Sequence, residues 1–314
     1  MTWKVLVTCP HLQKTIDLYR ERLAQQGIEV EVPPVVQQLS EAELLEIIER
    51  FDGVIAGDDP FTAKVLEKGK RLKIVAKWGI GMDAIDQEAA KKLGIQVKNT
   101  PDVFPNEVAD VVVGYLVMLS RQLHQLDRTV RRGEWLQIQG QSLQGKTLGV
   151  IGIGSIGRAV VRRGIMLGMS VIGYDVMPVS QAFANETGMK AVDLEELLQA
   201  ADFISLNCNL TADNQHMLSR RQFELMKPKV QIINTARGAL IDERALVEAL
   251  DSGKVAGAAL DVFEEEPLPS ESPLRRFDNC IFGTHNSSNT KEAVLRVNEM
   301  AIQNLLEALE GAKA

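Results

Sequence analysis

Short apolar runs rich in β-branched residues alternate along the chain with longer amphipathic segments, and this alternation limits the possible folds more than any other feature. The runs in the first hundred residues are Val5–Val7, Val30–Val32, Val54–Ala56, Ile74–Ala76 and Ile95–Val97. A second series begins at Thr147 and continues to Phe282. Since strands that alternate with helices form parallel sheets joined by helical crossovers, the sequence predicts an α/β fold with two doubly wound parallel sheets.

The composition is that of a folded globular protein and favours small molecules as partners. Of the 314 residues, 45% are hydrophobic and 25% are charged, which is enough apolar material for a sizeable core. Lys and Arg number 35 against 42 Asp and Glu, so the formal net charge is −7. This negative balance argues against nucleic acid and against an anionic membrane surface as a partner.

The three cysteines, Cys9, Cys208 and Cys280, are odd in number and far apart in the sequence. This spacing fits neither a disulfide framework nor a pair of metal ligands, so it indicates a reducing, cytoplasmic location and no bound metal. The longest strongly apolar run, Val111–Leu119, contains Gly114 and is far shorter than the ~20 residues of a membrane span. We therefore expect no membrane segment.

A glycine-rich turn follows the first strand of the second series. Leu148–Gly157 reads as a strand that leads into a Gly-x-Gly-x-x-Gly turn, formed by Gly152, Gly154 and Gly157, and then into a helix. These glycines permit a tight turn, a close approach of pyrophosphate, and close packing of helix against strand. The next strand ends at Asp175, where a carboxylate accepts hydrogen bonds from ribose hydroxyls and repels a 2′-phosphate. The motif predicts a dinucleotide site that prefers NAD to NADP.

Polar residues also follow three later strands, at the point where each strand ends. The segments are Asn234–Gly238, Asp261–Pro267 and Gly283–Asn286, and open α/β sheets bind ligands at this edge. Arg237 offers a planar, permanently charged fork that matches a carboxylate. His285 can donate and accept a proton near neutral pH, since the unperturbed pKa of histidine is about 6.5.

Together these segments resemble the D-isomer-specific 2-hydroxyacid dehydrogenase family over essentially the whole chain, with most similarity to its phosphoglycerate dehydrogenase-like branch. In that family an arginine holds the substrate carboxylate, an acid precedes a proline, and a histidine is the acid/base. These roles fall on Arg237, Glu266 and His285 here, and a carboxylate beside the histidine favours the imidazolium. The resemblance implies NAD-dependent hydride transfer to or from C2 of a small 2-oxo or (R)-2-hydroxy acid.

The resemblance further implies a flavodoxin-like substrate (catalytic) domain at residues 1–99 and 289–314, a Rossmann NAD-binding domain at residues 100–288, and an interdomain cleft. It assigns cofactor contacts along the second sheet. These are Gly152, Gly154, Ser155, Ile156, Gly157, Asp175, Asn207, Cys208, Thr235, Ala236 and Asp261. It assigns substrate contacts to Gly79, Ile80, Gly81 and Asn106.

Several positions depart from the family pattern. Thr284 replaces a proline before the histidine, and Asn286–Thr290 is polar where the family is rich in Gly and Ala. Asp58 and Asp59 stand where phosphoglycerate dehydrogenases often carry an arginine, and two acids facing the site would repel a phosphate. Because the chain ends at Ala314, we expect a short form without the C-terminal regulatory domain. The sequence thus predicts the reaction class and leaves the particular 2-hydroxy acid open.

Two alternatives to a phosphoglycerate dehydrogenase-like enzyme stay open. One is a glyoxylate or hydroxypyruvate reductase, and the other is a non-enzymatic NAD(H)-sensing scaffold of the corepressor type, which can retain the same three residues. Family members are usually homodimers built through the nucleotide domain. Residues 106–122 are apolar on nearly every face, so we expect a helix buried on all sides at the domain junction or at a subunit interface.

Overall fold

The computed structural model describes residues 2–312, and the chain forms two compact units. The first unit runs up to Val103 and resumes at Asn289, and the second comprises Phe104–Ser288. Each unit is built on one sheet whose strands pair in parallel, with five strands in the first and seven in the second. The predicted class, two parallel-sheet α/β domains, is therefore confirmed.

The described residues contain twelve strands and thirteen α-helices. The strands are β1 Trp3–Val7, β2 Ile28–Glu31, β3 Gly53–Ala56, β4 Ile74–Lys77, β5 Gln96–Lys98, β6 Thr147–Ile151, β7 Ser170–Tyr174, β8 Lys190–Ala191, β9 Phe203–Leu206, β10 Val230–Asn234, β11 Val255–Leu260 and β12 Cys280–Phe282. The helices are α1 Pro10–Gln13, α2 Asp17–Gln25, α3 Glu41–Ile47, α4 Ala63–Lys68, α5 Gln87–Lys92, α6 Pro105–Arg121, α7 Leu123–Arg131, α8 Ser155–Met166, α9 Gln181–Thr187, α10 Leu194–Ala200, α11 Arg220–Leu225, α12 Glu243–Asp251 and α13 Lys291–Gly311. Short 3-10 turns occupy Ile48–Arg50, Gly238–Leu240 and Pro273–Arg276.

The sheet of the first unit has the strand order β2-β1-β3-β4-β5, which is the flavodoxin-like order. Every residue of β3 and β4 is buried, as expected for parallel strands covered by helices on both faces. The last helix, α13, packs on β3 and β4, and a Cβ on Gly53 would lie only 2.8 Å from a methyl group of Leu305. Glycine at this position lets the helix approach the strand closely. The final helix therefore belongs to the first unit.

The sheet of the second unit has the order β8-β7-β6-β9-β10-β11-β12, so the direction of strand addition reverses between β6 and β9. Counted from β6, this is the Rossmann order with one more strand, and the reversal opens a crevice at the carboxyl ends of these two strands. Strand β8 was not predicted from the sequence. This edge strand has only two residues, and both are exposed, so it leaves no apolar run to recognise.

Helix α6, expected to be buried at the domain junction or at a subunit interface, is partly covered within the chain. One face packs into the core of the second unit through Ala109, Val112, Leu116 and Leu119. Val111, Val113 and Val117 lie outside this buried face and stay half-exposed. Within the single chain these three valines stay partly accessible, and burial of α6 at a domain junction or subunit interface stays a prediction. Neither α6 nor another helix within residues 2–312 is long and apolar enough to cross a membrane.

Candidate active site

The turn after β6 carries three glycines with different roles. Gly152 has a φ of +89°, and a Cβ there would lie 2.6 Å from the backbone nitrogen of Cys208. A Cβ on Gly157 would lie 1.9 Å from the carbonyl oxygen of Gly152, so only glycine lets α8 pack this close to the turn. Around Gly154 no atom lies within 4 Å of the Cβ position, which leaves the N-terminus of α8 open. An open helix N-terminus of this kind accommodates a pyrophosphate.

Asp175 follows β7 and is tied to the glycine turn. Its Oδ2 accepts a hydrogen bond from the amide of Ile153 at 2.6 Å, and its Oδ1 accepts one from the amide of Met177 at 2.9 Å. Ser155 and Ile156 form the first turn of α8 and are half-buried. Each carboxylate oxygen has a second lone pair. Asp175 can therefore accept hydrogen bonds from ribose hydroxyls in addition to those from the two amides.

Further predicted cofactor residues lie at the ends of β9 and β10. The Oγ1 atom of Thr235 is buried and has no hydrogen-bond partner among the described residues, as expected for a group that a ligand would satisfy. Asn207 turns its amide back to the carbonyl of Ser205 at 3.0 Å. Burial raises the pKa of the Cys208 thiol to about 11, so this side chain stays neutral. The open helix terminus and the orphaned Thr235 hydroxyl fit a bound dinucleotide.

A short turn after β10 places Arg237, and Asn234 holds that turn from inside. The buried Asn234 side chain accepts from the amide of Ala236 at 3.0 Å and donates to the carbonyl of Arg237 at 2.8 Å. A Cβ on Gly238 would lie 1.8 Å from the carbonyl carbon of Phe263, so this turn touches the segment that follows β11. The role of Asn234 could not be predicted from the sequence, because this role depends on the direction in which the Asn234 side chain points.

His285 and Glu266 form a pair on the loops after β12 and β11. The His285 Nδ1 atom lies 2.8 Å from Glu266 Oε2, and Glu266 Oε1 accepts from the amide of Phe263 at 3.0 Å. The two side chains are only 25% and 18% exposed, which limits screening of their interaction by water. Because Nδ1 faces the carboxylate, Nε2 is the ring atom that can serve proton transfer. Two of the three predicted catalytic residues are thus in direct contact.

The acidic loop that carries Glu266 is also held by reciprocal hydrogen bonds between Glu264 and Glu243. Each of these two glutamates accepts a hydrogen bond from the other's amide at 2.8 Å. Burial, together with the charge of Glu264, raises the pKa of the Glu243 carboxyl. The loop is therefore held in place at the first turn of α12 and does not form a freely solvated acidic segment.

The structure places Asp261 beneath the loop that carries the histidine. Asp261 follows β11, is 2% exposed, and accepts hydrogen bonds from the amides of Asn286 and Ser287 and from the Ser287 hydroxyl. Further along, the Thr290 hydroxyl caps α13 by accepting from the amide of Ala293 at 3.1 Å. Part of the unusual polarity of this segment is thus used inside the protein.

The predicted substrate loop of the first unit follows β4. Gly79 has a φ of +114°, and its amide donates to the Thr100 hydroxyl at 2.9 Å. The Asn99 side chain donates to the carbonyl of Ile80 at 2.8 Å, which anchors the loop. Within residues 2–312 the amides of Ile80 and Gly81 donate to no protein group, so of the predicted carboxylate contacts these two amides are the ones available.

The two acids Asp58 and Asp59 have different environments in the first unit. Asp59 is buried, accepts from the amides of Leu39 and Gly57, and has its carboxyl pKa raised by burial. Asp58 forms an ion pair of 3.0 Å with the buried ammonium of Lys77, two residues before the substrate loop. Asp59 is therefore an internal structural group, and Asp58 is the acid next to the predicted substrate loop.

Asn106, the remaining predicted substrate residue, lies exposed in the first turn of α6. Its Oδ1 accepts from the guanidinium of Arg163 at 3.3 Å, and the same guanidinium pairs with Asp110 at 2.8 Å. These contacts link α6 to α8 within the second unit. A substrate contact of Asn106 stays a prediction.

A doubly wound parallel sheet with a glycine-lined helix terminus at its switch point, and an acid after the next strand, defines a dinucleotide-binding domain. Arg237 and the hydrogen-bonded pair of His285 and Glu266 lie at the ends of neighbouring strands in that domain. Within residues 2–312 no group of three or more His, Cys, Asp or Glu could hold a metal ion.

Comparison with known proteins agrees with this class. A family model described as D-isomer specific 2-hydroxyacid dehydrogenase, NAD binding domain, matches residues 113–287. D-3-phosphoglycerate dehydrogenase of Methanocaldococcus jannaschii is 40% identical over 99% of this chain and 58% of its own length. Glyoxylate reductase of Korarchaeum cryptofilum is 37% identical over 90% of this chain and 85% of its own length. The chain thus spans little more than half of that phosphoglycerate dehydrogenase.

Solved structures give the same result. A glyoxylate reductase from Paecilomyes thermophila matches with a TM-score of 0.87 and 31% identity, over 98% of this chain and 96% of that one. D-Lactate dehydrogenase from Aquifex aeolicus, complexed with NAD and lactic acid, matches with a TM-score of 0.86 and 28% identity, over 98% of each chain. The protein belongs to the D-isomer specific 2-hydroxyacid dehydrogenase family and carries that family's NAD-binding domain.

Proposed function

We propose that this protein is an NAD-dependent oxidoreductase that moves hydride between the nicotinamide and C2 of a small (R)-2-hydroxy or 2-oxo acid. The observation that carries the proposal is the His285–Glu266 contact of 2.8 Å, at the same sheet edge as Arg237 and the glycine turn. An acid–base pair placed beside a dinucleotide site is suited to a reaction in which a proton and a hydride move together.

Each residue of the site has a separate task in reduction of a 2-oxo acid. The turn of Gly152, Gly154 and Gly157 would hold NADH, which would provide the hydride for C2 when bound. Arg237 binds the substrate carboxylate through its planar guanidinium and polarises the 2-oxo group. His285 donates the proton on Nε2 to the oxygen at C2 and takes it back in the reverse direction. Glu266 fixes the ring through Nδ1 and stabilises the imidazolium.

The substrate that we propose is a small 2-oxo acid of the type used by D-3-phosphoglycerate dehydrogenases. Glyoxylate and hydroxypyruvate are the alternatives. Relatives named D-3-phosphoglycerate dehydrogenase, glyoxylate reductase and hydroxypyruvate reductase all align with this chain at similar identity, 40%, 37% and 37%. Because relatives with different names align at such similar identity, the alignments support the reaction class and do not single out one acid as the substrate.

The test is NADH oxidation by the purified protein with 3-phosphohydroxypyruvate, hydroxypyruvate, glyoxylate and larger 2-oxo acids, followed by loss of NADH absorbance. We expect turnover of at least one acid, with lower activity when NADPH replaces NADH. Tight NADH binding without turnover of any acid would contradict the enzyme and support the NAD(H)-sensing scaffold.

We also propose that the protein is a cytoplasmic homodimer. The half-exposed valines of α6 lie on the second unit and provide an apolar surface for a second copy. All three cysteines are free thiols, and burial raises the pKa of Cys9 to about 12 and of Cys280 to about 11. Three unpaired cysteines are typical of proteins in a reducing compartment.

A further inference from the structure

The loop that carries His285 has a strained start. His285 adopts a φ of +53°, in the left-handed region that a non-glycine residue occupies only when the surrounding structure holds it there. Its amide donates to the carbonyl of Asp261 at 2.7 Å. The position of the imidazole therefore depends on what fixes the residues on either side of it.

The Asp261 carboxylate fixes the residues on the C-terminal side. The amides of Asn286 and Ser287 donate to it at 3.0 and 2.8 Å, and the Ser287 hydroxyl donates to the same Oδ2 atom. Asp261 is 2% exposed and Ser287 is 6% exposed, so water does not replace these donors easily. A buried carboxylate requires such donors, since an unpaired one is strongly destabilising.

The geometry around Gly283 keeps Asp261 in this position. Pairing of β11 with β12 sets Leu260 opposite Phe282, which brings Asp261 and Gly283 side by side. A Cβ on Gly283 would lie 2.0 Å from Asp261 Oδ1, so a larger residue would displace the carboxylate. The carboxylate is thus confined between Gly283 and the amides after His285.

We infer that Ser287 and Asp261 are positioning residues for His285. Together they hold the turn after the histidine so that Nδ1 of His285 contacts Glu266. The Ser287 hydroxyl is the side-chain donor of the loop to Asp261, and the other donors are backbone amides. The expected effect on kcat rests on the proposed function. The hydrogen bonds of Ser287 and Asp261 are present in the folded unit whatever reaction the protein catalyses.

The test compares Ser287→Ala with Ser288→Ala. Ser288 is the next residue on the same loop, and its side chain makes no hydrogen bond within residues 2–312, so it is a matched control. We expect kcat for the best 2-oxo acid to fall about tenfold in Ser287→Ala, since small misplacement of a catalytic group is costly. The KM for that acid and the Kd for NADH should stay within about twofold of wild type. Ser288→Ala should match wild type.

Two further readouts separate positioning from a general loss of structure. The solvent deuterium isotope effect on kcat should rise in Ser287→Ala, because a displaced imidazole makes proton transfer more limiting. Amide hydrogen exchange across residues 285–288 should accelerate in Ser287→Ala and not in Ser288→Ala, and this measurement needs no turnover. Unchanged exchange, or equal kinetic losses in both variants, would overturn the inference. Wild-type protein without turnover would instead count against the proposed function.

Discussion

The Nδ1 atom of His285 lies 2.8 Å from Oε2 of Glu266, while the other carboxylate oxygen of Glu266 is held by the amide of Phe263. The carboxylate is thus fixed by the protein, and it orients the imidazole. In the proposed mechanism Glu266 therefore affects the reaction through the histidine and needs no contact with substrate.

Changing Glu266 to Gln should move the pH profile of reduction. Reduction requires the protonated histidine, so kcat/KM falls as the pH rises through the pKa of that group. Glu266→Gln removes the negative charge that favours the imidazolium, so the fall should occur about one pH unit lower. The measurement is kcat/KM against pH for the best substrate. Glu265→Gln removes the same charge from an exposed neighbour and should leave the profile in place; equal shifts in the two variants would contradict the assignment.

Cofactor preference should depend on Asp175. In the wild type its carboxylate lies where a 2′-phosphate would be repelled, so NADH should be strongly preferred. Asp175→Asn removes the charge and keeps an oxygen that can accept from the amide of Ile153. We expect the ratio of kcat/KM for NADPH to that for NADH to rise about tenfold or more. Equal use of the two cofactors by the wild type would show that the acid does not set the preference.

Gly238 should be essential for stability. A Cβ there would lie 1.8 Å from the backbone of Phe263, and backbone cannot move aside as a flexible side chain can. Gly238→Ala should lower the free energy of unfolding by about 3 kcal/mol, at the upper end of overpacking effects. Gly311→Ala is the control, because no atom lies within 4 Å of its Cβ position. Thermal unfolding measures both, and similar melting temperatures would contradict the packing described.

The half-exposed valines of α6 should take part in the dimer contact. Val113→Lys places a charge among them, and we expect light scattering to give a dimer mass for the wild type and a monomer mass for the variant. Leu295→Lys changes another exposed apolar residue, on α13, and should leave the dimer intact. A monomeric wild type at micromolar concentration would refute the interface.

Much of the fold was predictable because each buried strand of a parallel sheet is a short, continuous apolar run in the sequence. The β-branched runs identified both sheets, and the glycines at Gly152, Gly154 and Gly157 identified the dinucleotide turn. The two exposed residues of β8 left no such run. How much of α6 its own unit covers could not be predicted, since an apolar pattern does not show which of the helix residues pack within that unit.

The site was predictable at the level of residue types and less so at the level of contacts. Arg237, Glu266 and His285 follow strand ends, and the family resemblance, rather than any spacing, suggested that the last two would lie together, as the 2.8 Å contact has them. The roles of Asn234 and Ser287 depend on which way a side chain turns in the folded protein. No sequence pattern specifies that direction, so these two residues emerge only from the structure.

The most direct test of the proposed mechanism is turnover by His285→Ala. We expect kcat for NADH-dependent reduction of the best 2-oxo acid to fall at least about a hundredfold, as for loss of a general acid, while NADH binding stays near wild type. His124→Ala, which removes another histidine of the second unit, should keep most of its activity. If His285→Ala retained about half of the wild-type kcat, the proton donor would have to be another group, and the proposed mechanism would be wrong.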